Sequence, residues 1–331
     1  MAKEIANGSV IRNELDLRIA HCLQVAPRAA FSVIASVLGV SEQTVARRYR
    51  RMRSAGAVRV VGFIDPGPTG RQNWMLRLFC RPDTSVGIGR ALARRDDVQW
   101  VAVMSGGTEV DCVLRPRSSD AQDQLLLRQL PKTVQITSIE AAMVLHVYRG
   151  STNSDWRIGP EFLTAAQEQL LTDGTPAITG RTVELSPRDE PLIGLLMREG
   201  RATYAELRAA SDGMTEAQVR RRVTELREAG LLHFDVDMDD GFTGQTLYAR
   251  VLVTVAPSHL DPVGRALGQH PDVRFCGATT GPASITASVA FEDVDGLYRF
   301  ISQDVGRLDG VAHTQVIPLD RTLKRAGAVL P

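Results

Sequence analysis

Between Ser41 and Arg53 the sequence places Thr44, Arg47, Arg48 and Arg51 at i, i+3, i+4, i+7, and Val45, Tyr49 and Met52 at i, i+4, i+7. On a helix these are two separate faces, one rich in guanidinium and one apolar. Arginine binds phosphate and forks onto guanine edges, while Gln43 and Thr44 bring groups that hydrogen-bond to bases. Ser41 stands where an N-cap belongs, its hydroxyl able to accept a first-turn amide, and Gly56 supplies a C-terminal stop. The chemistry on offer is contact with nucleic acid. The competing reading is an Arg-rich helix face that is simply solvated.

The neighbouring elements favour the first reading. Asp16 to Leu23 suits a first helix, Phe31 to Leu38 a second, and Gly39-Val40 a tight turn before Ser41. A helix, a Gly-containing turn and a polar-basic helix form the helix-turn-helix pattern. Val58 to Ile64, rich in β-branched residues, is predicted to form a wing strand. The net charge of +1 does not advertise nucleic acid, but Arg47, Arg48, Arg50, Arg51 and Arg53 put five cations within seven residues, and clustering is what counts.

The pattern occurs twice. Arg201 to Leu207 echoes Arg28 to Ile34 at an offset of 173, and after a one-residue insertion Thr215 to Val223 matches Ser41 to Tyr49 and Gly230 matches Gly56. Gly264 to Leu267 repeats Gly89 to Leu92, and Asp272-Val273 repeats Asp97-Val98. Such internal similarity reads as a tandem duplication. Past its helix-turn-helix, the first copy runs strand (Trp74 to Cys80), helix (Val86 to Arg95), strand (Val98 to Met104), turn (Ser105 to Thr108), strand (Glu109 to Arg115), helix (Ser118 to Leu130) and strand (Val134 to Val147). That βαββαβ order is ferredoxin-like, and Thr246 to Leu319 repeats it. The fold class is thus α+β, with two helix-turn-helix (winged-helix-like) domains, each followed by a ferredoxin-like domain.

These residues together resemble the Lrp/AsnC family of feast/famine transcriptional regulators. The resemblance rests on Leu15-Asp16 through Arg28, Leu38-Gly39-Val40-Ser41 through Gly56, and the turn Ser105-Gly106-Gly107-Thr108-Glu109. It implies a sequence-specific binder of double-stranded DNA, fused from two family units, whose ferredoxin-like domains pair within the chain and take an amino-acid-like effector. Further assembly, as a dimer of two-unit chains or larger, is also implied. A pseudo-two-fold would set the recognition helices on half-sites about 10 base pairs, or a multiple, apart. The expected DNA contacts are Ser41, Gln43, Thr44, Arg47, Arg48, Arg50 and Arg51 in the first copy and Thr215, Gln218, Arg220, Arg221 and Arg222 in the second. Of these, Gln43, Thr44, Arg47, Gln218 and Arg221 are assigned to bases, and Arg48, Arg50, Arg51, Arg220 and Arg222 mainly to phosphates. The first copy is expected to dominate affinity, since Ser41 to Arg59 holds six Arg against one Glu, and Thr215 to His233 four against three.

The resemblance also points to an effector site at Ser105, Gly106, Gly107, Thr108 and Glu109, and at Thr280, Gly281 and Ser284. Exposed amides would meet an effector carboxylate there, and Glu109 an ammonium. The alternative is that Gly106-Gly107 only supplies the positive φ of a tight hairpin. The family turn reads Gly-x-Tyr-Asp. The first copy has Gly106-Gly107-Thr108-Glu109 and the second Gly281-Pro282-Ala283-Ser284, so the first is the better candidate.

The expected domains are a flexible start (1–12), helix-turn-helix 1 (13–65), ferredoxin-like 1 (72–150), a linker with a short helix (151–184), helix-turn-helix 2 (185–240) and ferredoxin-like 2 (245–331). Arg321 to Arg325 reads as a short basic tail. Four isolated cysteines suit a reducing cytoplasm, and no apolar run is long enough for a membrane span. The six histidines show no metal-ligand spacing and no CxxC occurs, so no metal or cofactor is expected. Gly87-Ile88-Gly89-Arg90 lacks the rest of a phosphate loop, and Ser105 lacks the Gly of a nucleophile elbow. The chain is therefore expected not to be an enzyme. Two alternatives stand beside the regulator: a ligand sensor, or an interaction scaffold in which one helix-turn-helix no longer reads DNA.

Overall fold

A computed structural model describes residues 13–65, 72–116, 118–150, 162–173, 175–211, 213–239, 242, 244–325 and 328–329. The expected flexible start and the first part of the linker lie outside the described residues. The chain divides into two compact units, each drawn from both copies. One holds residues 1–63 and 152–245, and the other 64–151 and 246–331.

The first unit pairs the helix-turn-helix modules. α1 (Glu14–Val25), α2 (Phe31–Leu38) and α3 (Glu42–Ser54) form one of them. Asn13 caps α1, its side chain accepting from Leu15 N at 2.9 Å, and Ser41 caps α3, accepting from Thr44 N at 3.2 Å. Between α2 and α3 the chain turns through Gly39 at φ +67°, a left-handed conformation that costs glycine little. Ile19, Leu23, Ile34, Val45 and Met52 are all fully buried, as the two apolar stripes require.

The expected wing, β1 (Val58–Ile64), is not a free hairpin. After the ferredoxin-like elements of the first copy, the chain returns through α6 (Ala165–Thr172), α7 (Glu190–Arg198), α8 (Tyr204–Ala210), α9 (Glu216–Glu228) and β6 (Leu232–Met238). β1 pairs with β6 of the other module. A lone strand leaves its backbone polar groups unmet, and its duplicate is the nearest strand able to satisfy them. The junction is closed by a reciprocal exchange between repeat-related arginines. Arg28 donates to the carbonyls of Gly200 and of Ala202 (3.0 Å), and Arg201 donates to those of Pro27 (2.7 Å) and Ala29 (2.8 Å). Gly200 N–H also donates to Val60 O at 2.8 Å, an approach that a Cβ at Gly200 would block. Linker helix α6 packs on the first module through Leu171, with Leu163 just ahead of the helix in the same core, and Gln167 Nε2 donates to Val37 O at 2.9 Å.

The second unit pairs the ferredoxin-like modules. The first contributes β2 (Trp74–Cys80), α4 (Ser85–Ala93), β3 (Val98–Met104), β4 (Glu109–Leu114), α5 (Ser119–Asp123) and β5 (Ile136–Arg149). The second contributes β7 (Leu247–Val255), α10 (Leu260–Gln269), β8 (Val273–Thr279), β9 (Ile285–Phe291), α11 (Val294–Arg299), β10 (Val311–Arg325) and the short β11 (Ala328–Val329). The strand order β10-β3-β4-β2-β5-β8-β9-β7 closes on itself, because β10 also pairs with β7.

The closure depends on two long strands that change partner midway. β5 pairs with β2 from Ile136 to Met143 and with β8 from Val144 to Arg149. β10 pairs with β7 from Val311 to Pro318 and with β3 from Leu319 to Lys324. Pro318, which has no amide to donate, sits at the change of partner. Arg321 to Arg325 is thus no tail but the far half of β10. Each long strand ends in a buried cation on the other copy's helix: Arg149 donates to Gly268 O (3.0 Å) and His270 O, and Lys324 Nζ donates to Arg95 O (2.6 Å). All four cysteines are buried; burial pushes the thiols of Cys22, Cys112 and Cys276 up to about 12 and that of Cys80 to about 11. Gly87 and Gly89 lie within α4, where a Cβ on Gly89 would meet Leu323, so Gly89 serves packing.

Candidate nucleic-acid interface and ligand cavity

α3 presents Gln43, Arg47 and Arg50 exposed and Thr44 half-buried. Ser41 is engaged as the cap, and its Oγ lies 2.9 Å from Thr44 Oγ1. Arg48 and Arg51, assigned to phosphates by spacing, are anchored inward. Arg48 Nη1 donates to Asp16 Oδ1 at 3.0 Å and Arg51 Nη2 to Asp16 Oδ2 at 2.5 Å, and Asp16 is fully buried. A carboxylate taken out of water needs such partners. In the second copy Arg222 does the same for Asp189, with bonds of 2.8 and 2.7 Å. Burial pushes the Asp189 carboxyl up, but hydrogen bonds from Arg222 and Ser186 outweigh it and hold it below the usual range.

Thr215 and Gln218 close a capping box on α9: Gln218 N donates to Thr215 Oγ1, and Thr215 N to Gln218 Oε1 at 2.8 Å. The Gln218 amide nitrogen stays available for a base. Arg220 and Arg221 point to solvent, with Glu216 at 3.6 Å and Glu225 at 3.5 Å as i,i+4 neighbours. Exposed pairs of that kind are weak and would yield to phosphate.

At the first turn, both contacts expected of an effector are made from within the chain. Gly107 N–H donates to the Asp320 carboxylate at 3.1 Å, and buried Glu109 accepts from Arg77 Nη2 at 2.8 Å. Ser105 (φ +53°) and Gly106 (φ +65°) turn left-handed, and Thr108 Oγ1 donates to Ser105 O at 2.9 Å. At the second turn Gly281 has φ +99°, Thr280 Oγ1 accepts from Met143 N at 2.8 Å, and Ser284 Oγ accepts from Val255 N at 2.9 Å.

A cavity of about 310 Å³ opens beside that second turn, whereas the sequence favours the first copy as the effector site. Of the expected effector residues only Thr280 lines it. Its charged and polar wall comes from Arg77, Glu140, Arg250, His313 and Gln315, with Leu252 among the apolar residues. Arg77 bonds Glu109 and Glu140, each at 2.8 Å, and Arg250 meets Asp111 at 2.8 Å while lying over Trp100. Burial pushes the Asp111 carboxyl up, with Arg250 and then Arg77 pulling it back. The wall thus offers guanidinium and carboxylate groups held by ion pairs, with the exposed imidazole of His313 beside them. Arg77 and Arg250 were legible as charges interrupting apolar strands; their convergence from different copies was not. Among the described residues, no cluster of metal-ligating side chains occurs, and no helix is long and apolar enough to cross a membrane.

Comparison with known proteins matches residues 13–53 to the AsnC-type helix-turn-helix domain and residues 248–329 to the Lrp/AsnC ligand binding domain. An uncharacterised HTH-type transcriptional regulator of Pyrococcus horikoshii is 29% identical over 136 residues, covering 41% of this chain and 85% of that protein. The HTH-type transcriptional regulator LrpA of Pyrococcus abyssi is 29% identical over 132 residues, covering 40% and 92%. The crystal structure of the siroheme decarboxylase NirDL, in complex with an iron-uroporphyrin III analogue, is similar over 95% of this chain and 93% of that one, at a TM-score of 0.59 and 13% identity. That likeness corrects the expectation that the chain is not an enzyme, since a decarboxylase shares the same two-unit fold. The expectation rested on missing local motifs, which do not register groups brought together from distant strands.

Proposed function

Because the chain belongs to the Lrp/AsnC family as a two-unit member, we propose that it reads DNA through α3 and α9 and holds a small effector in the cavity beside the second turn. The observation that carries this is the sorting of arginines on the recognition helices. Arg48, Arg51 and Arg222 each hold a buried carboxylate within their own module, while Gln43, Arg47, Arg50 and Arg221 are left outward on capped helices. The sequence relatives, described as transcriptional regulators, support the same reading. The unequal helices favour unequal half-sites, with α3 contributing more affinity. The test is selection of binding sequences from random duplex DNA with the full chain. Enrichment of an imperfect palindrome that Arg47→Ala/Arg50→Ala abolishes supports the proposal, and no enrichment with or without pooled amino acids refutes it.

A second reading is favoured by the full-length likeness to a siroheme decarboxylase and by the polar cavity. In it the chain removes a carboxylate from a tetrapyrrole: the carboxylate leaves as CO2 and a proton replaces it, with His313 the candidate donor and Arg77 or Arg250 orienting the acid. At about 310 Å³ the cavity is near the lower end for small-ligand sites, so a macrocycle would have to widen it. Anaerobic incubation with siroheme, followed by mass analysis, tests this reading. CO2 loss that His313→Ala abolishes supports it, and unchanged siroheme refutes it.

A further inference from the structure

The two helix-turn-helix modules are related by the repeat, yet neither ion pair across their junction, Arg59 with Asp237 or Arg53 with Glu199, is repeated, and His233 stacks on Phe63 at the counterpart of the first. Arg53, in the last turn of α3, pairs with Glu199 at the end of α7 in the other module. The repeat offset of 174 relates Arg53 to Arg227, and the offset of 173 relates Glu199 to Ala26. At the second place, therefore, a guanidinium stands opposite a methyl group. The space left is a cavity of about 420 Å³, lined by both Ala26 and Arg227.

A second cation lines the same cavity. Arg28 lies with its guanidinium 5.1 Å from the Phe234 ring centre, and Arg227 lies 5.6 Å from the same ring. No ion pair between either arginine and a carboxylate occurs among the described residues. Burial, and then the Arg28 charge, push the Arg227 guanidinium below its usual range. The lining carboxylate, Asp173, is exposed and accepts from Gln169 Nε2 at 3.2 Å; His233 Nε2 lies 2.7 Å from Gly230 O. Leu171 and Phe234 supply apolar wall.

We propose that this cavity binds a small organic acid, whose carboxylate meets Arg227 where Glu199 meets Arg53 in the other half, beside the charge of Arg28 (whose Nη1 and Nη2 stay on the Gly200 and Ala202 carbonyls), and whose apolar body lies against Phe234 and Leu171. The site is separate from the cavity among the ferredoxin-like strands and does not depend on whether the chain reads DNA.

Titration calorimetry on the full chain tests it, with phenylacetate as probe and phenylacetamide as its neutral counterpart. Phenylacetate is expected to bind once per chain, and both the amide and the Arg227→Gln variant to lose at least about tenfold in affinity, the least that one charged hydrogen bond is worth. Ala26→Glu restores the missing carboxylate, so it is expected to abolish probe binding and to melt higher than Ala26→Gln. The inference is overturned if phenylacetate does not bind, if acid and amide bind alike, or if Arg227→Gln leaves the affinity unchanged. It also falls if Arg77→Gln, rather than Arg227→Gln, removes the binding, since the probe would then occupy the other cavity.

Discussion

The division of arginines on α3 makes a quantitative prediction. Each phosphate neutralised on duplex DNA adds about 0.9 to the slope of log affinity against log salt. Arg47 and Arg50 are exposed, Arg221 has only a weak i,i+4 neighbour, and Arg220 has such a neighbour and also lies over the Tyr204 ring, 4.6 Å from its centre. If Arg47 and Arg221, assigned to bases, neutralise phosphate as well as Arg50 and Arg220, the recognition helices contribute a slope of about −3.6, and Arg47→Ala/Arg50→Ala removes about 1.8 of it. Arg48→Ala/Arg51→Ala acts elsewhere: it strands the buried Asp16 carboxylate. Breaking a fully buried pair costs about 3–5 kcal/mol. Here both guanidiniums are partly in water, 22% and 54% exposed, so a loss nearer 2 kcal/mol is expected after discounting for screening (about 0–1 kcal/mol for a fully exposed pair). Fluorescence anisotropy with a selected duplex across a salt series reads the slope, and urea unfolding reads the stability. The reasoning is refuted if Arg48→Ala/Arg51→Ala flattens the slope by the larger amount while unfolding like the parent.

Three further outcomes follow from the packing. Asp111→Ala leaves Arg250 buried without its carboxylate and is expected to cost about 3–5 kcal/mol, with much of it recovered in Asp111→Ala/Arg250→Met; urea midpoints for both variants check the coupling. Asp189 has a lowered carboxyl, so its stabilisation is present above its unfolded value of about 3.9 and disappears as pH falls through the folded value. Asp189→Asn should therefore cost about 1–3 kcal/mol at neutral pH and almost nothing in strong acid, and a pH-independent cost in chemical unfolding would contradict this. A Cβ on Gly264 would run into the Tyr148 ring, while one on Gly87 meets nothing within 4 Å. Gly264→Ala should cost about 1–3 kcal/mol and Gly87→Ala stay within about 1 kcal/mol of the parent, as read from thermal unfolding.

The elements were legible because their periodicities are clean. Phe31–Leu38, Val58–Ile64, Trp74–Cys80 and Val98–Met104 fall where apolar spacing predicts. The fates of individual charges were not, because a partner's distance along the chain carries no local signal. Arg48 looks like a phosphate ligand until Asp16, a carboxylate 32 residues away, folds beneath it. Arg321 to Arg325 looks like a tail because the strand it continues has already met its first partner at Pro318. At the effector turn the sequence displayed Glu109, yet the group opposite it is Arg77 and not open solvent. The cavity lies where inward charges from different copies converge, and neither copy announces that alone.

The closed ring of strands has a hereditary consequence. In a protein built from two identical chains, every substitution is made twice, so a pocket can never hold arginine on one wall and leucine at the mirrored place. Here β5 and β10 each serve both halves within one gene product, and mirrored positions have drifted apart: Arg77 faces the fate of Leu252, Met75 that of Arg250, Glu109 that of Ser284. Joining the halves end to end released each from copying the other, and a single mutation can now reshape one face of the interior while its twin stays as it was.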